Sequence, residues 1–286
     1  MLTNSTHDHV ALKVFIRSKS LGSQTDHELN IYKKMHNASP RHPGATCVRT
    51  LLDSFWISGP DGEHRCLVHP PLWDSVRTLL ARNPIGRLPV PVLGIVLKRL
   101  FLALDFLHSE CQLIHTGIDH FGRGLYTLVL FQLTNPVLDI KGDNIMFGIK
   151  DDTVFEEFEE EELRNPCPRK EVEGRWIYTS RELRRPKRYG PPVLCDFGST
   201  VSGEKERLGD VQPDIYRSPE VILQAPWQYK IDIWNAGCLV SVAWILQAMP
   251  EAKLSCNRSG TFLKAGIYST EGTPSISTGV GRTLPR

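Results

Sequence analysis

The sequence has no hydrophobic run long enough to cross a bilayer and no recognisable export signal. Its longest apolar stretches, 125–131 and 238–246, fall well short of the about 20 residues that a membrane-spanning helix requires. The N-terminal residues lack a basic region followed by an apolar core, which excludes a secretory signal of the usual kind. We therefore expect no membrane association.

Paired cysteines and a strong charge excess are also missing. The seven cysteines are scattered without a CxxC pair or the spacing of a zinc site. This pattern predicts reduced thiols in a cytoplasmic or nuclear protein. The formal net charge of +2 argues neither for nor against nucleic acid, and we expect no direct nucleic-acid partner.

What is present is an ordinary globular composition. The chain has 286 residues, 41% hydrophobic and 23% charged, which is enough for one large domain or two lobes. Hydrophobic periodicity predicts strands over 9–16 and 64–72, a helix over 23–35 and a long amphipathic helix over 90–110. A further buried helix is predicted from residue 230 onward.

The middle and the end of the chain have biased compositions. Eight acidic residues occur within 151–162, and a Pro- and Arg-rich stretch follows. We interpret 151–191 as a solvated insertion rather than core. Its acidic run is either a plain solvated loop or a surface that attracts Arg-rich substrates. Residues 251–286 are rich in Ser, Thr, Gly and Pro without periodicity, which predicts a disordered tail.

Two charged residues stand on neighbouring elements near the N-terminus. The stretch "VALKV" places Lys13 on a predicted strand, and Glu28 follows on the next predicted helix. A lysine and a glutamate so placed can form a charge-assisted pair beside a phosphate group. Taken alone, the two residues also fit an ordinary surface Lys and a surface helical Glu, because short motif matches are often accidental.

The stretch "DIKGDN" supplies Asp139, Lys141 and Asn144. Phosphoryl transfer requires a carboxylate that orients the incoming hydroxyl, a cation near the transferred phosphate and an amide oxygen on Mg²⁺. These three residue types match those three needs. A polar turn containing Gly and Asn is the alternative interpretation.

Three later motifs follow in a fixed order. "DFG", 196–198, comes after an apolar strand and supplies Asp196, a carboxylate suited to Mg²⁺. "YRSPE", 216–220, comes next, and a helix containing "DIW" from Asp232 follows it. Each motif alone is weak, but their joint order makes a chance match improbable, because each supplies the context that the others require.

Together these motifs resemble those of a eukaryotic Ser/Thr protein kinase, and more narrowly those of the SR-protein kinase family. The narrower resemblance rests on "HT" before "DIK" in place of the commoner His-Arg-Asp, and on "FLHSECQLIHT", "VLCDFGS" and "DIYRSPEVIL". An insertion before "PVLCDFG" also fits that family. The resemblance covers roughly 9–116 and 139–239.

The resemblance implies a nucleotide site that uses ATP and Mg²⁺, and a protein substrate rich in Arg and Ser. Its implied site residues are Lys13 and Glu28 as the ATP-anchoring ion pair, Asp139 as the catalytic base, Lys141 as the phosphate-contacting lysine, and Asn144 and Asp196 as metal ligands. His115 would be the structural His of the catalytic loop. Thr116 replaces the Arg that binds an activation-loop phosphate in many kinases, which predicts activity without such a phosphate.

The chain departs from the family pattern in three places. The residues before Lys13 contain no glycine, so the glycine-rich phosphate loop is missing. Residues 117–138 separate His115 and Thr116 from Asp139. We interpret them as a translated intron, whose removal would leave "LIHTDIKGDN"; a family-specific insertion is the alternative. The resemblance ends near Leu239. We interpret the residues after it, like 117–138, as a translated intron.

We therefore predict an α+β, two-lobed protein-kinase-like fold that is truncated at both ends. Residues 1–70 would form a partial small lobe and 71–250 a partial large lobe, with inserts at 117–138 and 151–191. The predicted function is ATP-dependent phosphorylation of protein Ser or Thr by a monomer. The alternatives are an inactive kinase-like fragment that acts as a binding or scaffold protein, a mis-spliced gene model, and a small-molecule phosphotransferase.

Overall fold

The computed structural model describes residues 9–15, 22–59, 62–83, 87–117, 142–212 and 216–248. Three features predicted from the sequence lie outside these ranges. They are the site residues Asp139 and Lys141, all but the first residue of the insert 117–138, and the tail 251–286.

A three-stranded antiparallel sheet begins the chain. Its strands are β1 (Ala11–Val14), β2 (Asp53–Gly59) and β3 (Gly62–His69), in the spatial order β1-β3-β2. The register places Lys13 opposite Leu67 and Ala11 opposite His69. Because successive side chains of a strand point to opposite faces of the sheet, these four residues share one face.

Helix α1 (Gly22–Asn37) confirms the helix predicted over 23–35. Its buried apolar residues Leu29, Tyr32 and Met35 recur at three-residue spacing, which keeps them on one side of a helix. The same side carries Glu28, which is buried although it is charged. The helix thus contributes both core packing and one carboxylate to the interior.

The rest of the chain is mainly helical, with several short sheets. Its helices are α2 (Val76–Arg82), α3 (Val90–Asp105), α4 (Thr153–Arg164), the single turn α5 (Pro219–Ile222) and α6 (Lys230–Ala248). Its strands are β4 (Leu72–Ser75), β5 (Leu113–Ile114), β6 (Ile145–Ile149), β7 (Arg169–Val172), β8 (Arg175–Tyr178), β9 (Tyr189–Leu194) and β10 (Val201–Ser202). Antiparallel pairing joins them in the orders β4-β6-β9, β5-β10 and β7-β8.

Helix α3 is the main apolar element of the larger part. Its buried residues Val96, Leu100, Ala103 and Leu104 lie on one side, and each large apolar side chain that becomes fully buried stabilises the fold by about 1.5–3 kcal/mol. One turn of π-helix, Phe106–Glu110, extends it. The helix predicted over 90–110 is confirmed across its whole length.

The acidic run forms a helix, contrary to the solvated loop expected from composition. Helix α4 packs Val154 and Phe155 into the interior, while most of its glutamates face solvent. Asp151 stands just before the helix and accepts hydrogen bonds from Thr153 Oγ1 (2.8 Å) and the backbone N–H of Lys187 (3.0 Å). The hydrogen bond from Thr153 foremost lowers the pKa of the Asp151 carboxyl.

Basic residues that follow α4 neutralise one side of it. Arg181 and Arg184 pair with Glu161 at 3.3 and 2.5 Å. Glu162 accepts hydrogen bonds from the Cys167 thiol (2.9 Å) and from Arg181 Nε (2.8 Å). These contacts, that of the thiol foremost, lower the pKa of the Glu162 carboxyl to about 2. Opposite charges brought together along the chain therefore explain why so acidic a segment is helical.

The described residues confirm the predicted α+β class, with a small sheet and helix followed by a mainly helical part. No helix among them combines the length and apolarity that crossing a bilayer requires. The six cysteines that the structure describes are all unpaired.

Candidate active site

Lys13 lies on the face of the small sheet that meets helix α1. Its Nζ is 3.0 Å from Glu28 Oε1 and 2.8 Å from Glu28 Oε2. The Glu28 side chain is 2% exposed, whereas that of Lys13 is 39% exposed. The two residues therefore form the predicted ion pair, and the interpretation as unrelated surface residues is wrong.

Burial and pairing act on Glu28 in opposite directions. Burial raises the pKa of the Glu28 carboxyl, and the positive charge of Lys13 offsets part of this effect. A carboxylate in such a position costs free energy unless it keeps its partner. The ion pair therefore restricts the Lys13 side chain to one orientation, in which the exposed part of its ammonium group faces Asp196.

Asp196 completes this charged group. Its Oδ1 atom lies 3.6 Å from Lys13 Nζ, and its side chain is 38% exposed. The backbone of Asp196 has φ 61°, a left-handed conformation that Asp adopts more readily than most residues. The following residue, Phe197, is fully buried. The left-handed turn at Asp196 therefore lets its carboxylate remain accessible while the next side chain is held in the interior.

A continuous stack of four buried rings holds Phe197 in place. Its ring centroid lies 5.5 Å from that of His115 and 5.4 Å from that of Tyr32, both in edge-to-face geometry. The Tyr32 ring in turn lies 5.0 Å from that of His69. Edge-to-face contacts of this kind are favourable. Since Tyr32 lies one helical turn after Glu28, the stack fixes Glu28 and Asp196 relative to each other.

Asp232 of helix α6 fixes the segment that contains His115. It accepts hydrogen bonds from the backbone N–H groups of His115 (2.7 Å) and Thr116 (2.9 Å) and from His108 Nε2 (2.9 Å). Its side chain is 3% exposed. His115 Nε2 donates to the carbonyl of Cys195 at 3.0 Å, so His115 connects Asp232 with the residue preceding Asp196.

Thr116 has φ 59°, which is unusual for a β-branched residue. Its Oγ1 donates to the carbonyl of Ser199 at 2.8 Å. His27, the neighbour of Glu28, donates from Nε2 to the carbonyl of Thr200 at 2.6 Å. The segment after Asp196 is therefore tied to Thr116 and to helix α1 at the same time.

Asn144 stands immediately before β6, beside Asp196. Its carbonyl accepts a hydrogen bond from the backbone N–H of Cys195 at 2.7 Å. Asp143, the preceding residue, pairs with Arg77 of α2 at 2.7 Å. Of the six site residues predicted from sequence, the structure thus brings together the side chains of Lys13, Glu28 and Asp196, and it places the backbone of Asn144 beside the residue before Asp196.

The donor set suits a hard cation that also binds phosphate. Mg²⁺ commonly takes one or two protein oxygens and completes its coordination with phosphate and water. Asp196 supplies a partly exposed carboxylate, and Lys13 supplies a positive charge for phosphate oxygens. Asn144, an amide residue, lies beside them in the backbone through its bond to Cys195. Among the described residues, no group of three or more His, Cys, Asp or Glu side chains is arranged to hold a metal ion by itself.

Two contributors to the site were missed from the sequence. His69 ends the ring stack, but a His in an apolar strand carries no signal that distinguishes it from a half-buried surface residue. Helix α4 lies close to β1, with the His9 ring stacked on that of Phe155 at 4.5 Å. A signal for α4 existed, since Val154, Phe155 and Phe158 recur at helical spacing within the acidic run.

Comparison with known proteins agrees with this geometry. No protein-family model matches the chain. It is 36% identical over 237 residues to a serine/threonine protein kinase of Aspergillus fumigatus, covering 82% of this chain and 50% of that protein. The chain is a homologue of the serine/threonine protein kinases. A further match narrows the type: 27% identity over 235 residues to the serine/threonine-protein kinase SRPK of Physarum polycephalum, covering 81% of this chain and 53% of that protein.

A shorter match supports the same type. The chain is 33% identical over 112 residues to the human SRSF protein kinase 3, covering 38% of this chain and 19% of that protein. These relatives confirm the predicted similarity to the SR-protein kinases and the kinase-like fold. The chain spans about half the length of the Aspergillus and Physarum relatives.

Proposed function

We propose that this chain transfers the γ-phosphoryl group of ATP to Ser or Thr hydroxyls of a protein. The observation that carries the proposal is the position of Lys13, whose Nζ lies 2.8 Å from Glu28 and 3.6 Å from Asp196. A lysine fixed by one buried carboxylate, and facing a second that is half exposed, is positioned to hold phosphate oxygens. The second carboxylate can then meet the metal ion that accompanies them.

The residues present fit ATP with Mg²⁺. Lys13 would hold the phosphates, and Asp196 with Asn144 would hold the metal ion. When bound, the nucleotide supplies the phosphoryl group, and the metal ion supplies charge that neutralises the phosphate oxygens. The ring stack from His115 to His69 keeps Phe197 buried, which holds the Asp196 carboxylate on the accessible side.

Asp139 and Lys141 complete the proposed mechanism. Asp139 would accept and orient the substrate hydroxyl, and Lys141 would contact the transferred phosphate. Support comes from the described residues on both sides in sequence. Asp232 fixes Thr116 before them, and the bond from Cys195 fixes Asn144 after them.

The proposed substrate is a protein segment rich in Arg and Ser, and the proposed active form is a monomer in the cytoplasm or nucleus. The substrate class is supported by the name of a human relative, SRSF protein kinase 3. The small-molecule phosphotransferase alternative loses support, because the Aspergillus and Physarum relatives are both named as protein kinases.

The test separates nucleotide binding from phosphoryl transfer. The full chain is titrated with ATP and Mg²⁺ by calorimetry, and is then incubated with labelled ATP and an Arg/Ser-rich peptide. Lys13→Met is expected to weaken ATP binding at least tenfold and to remove transfer, because methionine can neither contact phosphate nor pair with Glu28. Lys33→Met, at an exposed lysine of α1, is the matched control and should change neither quantity.

Each result decides between the candidate functions. Binding that depends on Lys13, together with transfer to the peptide, supports the proposed kinase. ATP binding without transfer to any protein favours the binding or scaffold alternative. A chain that binds no ATP under these conditions contradicts the proposal.

Catalysis is expected to need no phosphate on the segment that follows Asp196. The hydroxyl of Thr116 ties this segment to the loop through the carbonyl of Ser199, and it offers no cation to a phosphate group. Phosphatase treatment of the purified chain should therefore change the transfer rate less than twofold relative to a mock-treated sample. A tenfold fall in the rate would show that this expectation is wrong.

A further inference from the structure

The insert between β6 and β9 carries its charge in two blocks of opposite sign. Residues 151–162 contain eight acidic residues and no basic one, whereas 164–188 contain nine basic and three acidic residues. The net charge of +2 for the whole chain conceals this separation. Glutamates of α4 bind Arg164, Arg181 and Arg184 of the basic block. The other cations of the block determine which partners it attracts.

Strands β7 and β8 form a hairpin within the basic block. Its turn consists of Glu173 and Gly174, whose φ angles of 52° and 75° suit a tight two-residue hairpin turn. The hairpin pairs with no other strand in the part of the chain that the structure describes. Every described side chain of its two strands is exposed. The hairpin therefore adds nothing to the hydrophobic core.

The last turn of α4 holds the base of the hairpin. Glu162 accepts hydrogen bonds from the backbone N–H and the thiol of Cys167, before β7, at 2.8 and 2.9 Å. It also accepts one from Arg181 Nε, after β8, at 2.8 Å. Between these residues, the backbone N–H of Thr179 donates to the carbonyl of Pro168 at 2.9 Å. An isolated two-stranded hairpin is only marginally stable in water, so these contacts explain how this one keeps its shape.

One face of the hairpin carries two aromatic rings. The register places Arg169 opposite Tyr178 and Glu171 opposite Trp176. Alternation along each strand puts these four side chains on one face, which we call the ring face. Trp176 is 55% exposed and Tyr178 is 58% exposed. The ring face thus presents two accessible rings, which are about 7 Å apart along the strand.

A cation already lies against both rings. The guanidinium group of Arg169 is 5.4 Å from the ring centroid of Trp176 and 6.0 Å from that of Tyr178. Two further basic residues, Lys170 of β7 and Arg188 just before β9, are exposed. The hairpin therefore combines aromatic surfaces with positive charge on the same small element.

This combination is the chemistry that binds unpaired nucleotides. Bases of a single strand stack on aromatic side chains, while cations contact the phosphates that link them. Glu171, beside Trp176, can accept a hydrogen bond from the exocyclic amino group of a stacked base. A duplex keeps the faces of its bases covered, so the ring face suits single strands.

We infer that the ring face of the β7–β8 hairpin binds single-stranded nucleic acid. Trp176 and Tyr178 each stack on one base, and the basic residues around them contact the phosphates. An acidic protein segment would satisfy the charge but would not use two neighbouring flat rings, which favours nucleic acid. The inference concerns a surface of the insert and does not depend on the proposed binding of ATP.

The test measures the binding of a labelled RNA of about 12 nucleotides to the full chain by fluorescence anisotropy. Trp176→Ala is expected to weaken binding about tenfold, because one base loses the ring on which it stacks. Trp176→Phe keeps a ring and should stay within about threefold of the unmodified chain. A duplex of the same sequence should bind about tenfold more weakly than the single strand. A duplex that binds as tightly would overturn the inference.

Trp56 of β2 provides a matched control outside the insert. It is 51% exposed, and the guanidinium group of Arg65 lies 4.2 Å from its ring centroid. It therefore has the same exposure and the same kind of cation contact as Trp176. Trp56→Ala should leave the affinity for RNA unchanged. An equal loss in Trp56→Ala and Trp176→Ala would assign the effect to any exposed tryptophan and would contradict a site on the hairpin.

The dependence on salt provides a second readout, which reports the phosphate contacts. The logarithm of the binding constant for a single strand falls with the logarithm of the salt concentration, with a slope of about −0.7 for each phosphate contacted. Lys170→Gln should make this slope shallower by about 0.7, whereas Trp176→Ala should leave it unchanged. A slope unchanged in Lys170→Gln would contradict the assigned phosphate contact.

Competition distinguishes nucleic acid from an acidic protein. Unlabelled RNA should displace the labelled strand at least about tenfold more effectively than polyglutamate of equal charge, because polyglutamate has no bases to stack. Equal displacement would identify an acidic protein segment as the partner and overturn the inference. A chain that binds neither RNA nor single-stranded DNA at physiological ionic strength would overturn it as well.

Discussion

Replacing Asp232 by alanine is expected to lower the free energy of unfolding by about 3–5 kcal/mol. The carboxylate is buried and accepts hydrogen bonds from the backbone N–H groups of His115 and Thr116 and from His108. Alanine would leave two buried backbone donors without an acceptor, at about 1–3 kcal/mol each. It would also release Thr116, whose positive φ angle is maintained by these contacts.

Urea unfolding followed by circular dichroism measures this effect, and two further variants control it. Asp26→Ala removes an exposed carboxylate that pairs with Arg65 at 3.1 Å, and should cost less than about 1 kcal/mol. Asp232→Asn should lose an intermediate amount of stability. Its amide oxygen can still accept one of these hydrogen bonds, but its NH₂ group would replace the second oxygen and face a donor. A loss below about 1 kcal/mol in Asp232→Ala would contradict the central role assigned to this carboxylate.

Stability is expected to fall below pH 6.5 because of a buried histidine. His69 is fully buried and donates from Nδ1 to the carbonyl of Thr50 at 2.9 Å. Its Nε2 has no hydrogen-bond partner among the described residues. Burial lowers the pKa of His69 from 6.5 to about 4, so the folded chain resists a proton that the unfolded chain accepts.

The sign follows from this order of the two pKa values. Above pH 6.5, His69 is largely neutral in both the folded and the unfolded chain, so it does not change the free energy of unfolding. Between pH 6.5 and about 4 the unfolded chain binds a proton that the folded chain does not, which favours unfolding. At pH 5 the loss amounts to about 2 kcal/mol relative to pH 7.5. Urea unfolding at these two values of pH is the measurement, with His69→Phe compared to the unmodified chain.

His69→Phe keeps a ring against Tyr32 but has no titratable group, so the pH-dependent loss should shrink by about 2 kcal/mol at pH 5. His36→Gln, at an exposed position of α1, should retain the dependence of the unmodified chain. If both variants lost stability equally between pH 7.5 and pH 5, His69 would not be the responsible group.

Most of the charged site could be predicted from the sequence because its residues belong to short motifs with a fixed chemistry. Lys13 lies on a strand and Glu28 on the following helix, as predicted, and the ion pair forms. Asn144 and Asp196 directly precede or follow apolar strands, and these strand ends meet at the same edge of the core. These positions depend mainly on local periodicity, which the sequence displays directly.

Other contributions could not be predicted, because they depend on partners distant in sequence. His69 is part of the site only because Tyr32 of α1 packs on it. The helical state of the acidic run depends on arginines such as Arg181 and Arg184, which a count of glutamates does not reveal. A composition rule treats like charges as mutually repulsive, whereas the fold supplies the opposite charges that stabilise the helix.

The amino-acid sequence alone determined the order of the charged motifs, the types of the main elements and the resemblance to Ser/Thr protein kinases. Each of these follows from residue chemistry and from spacing within a few helical turns or one strand. Only the tertiary structure decided that helix α4 packs against the start of the strand that carries Lys13. That placement depends on the contact between His9 and Glu159, which are 150 residues apart. No local pattern encodes a contact of this kind, because it forms only when the intervening elements have packed.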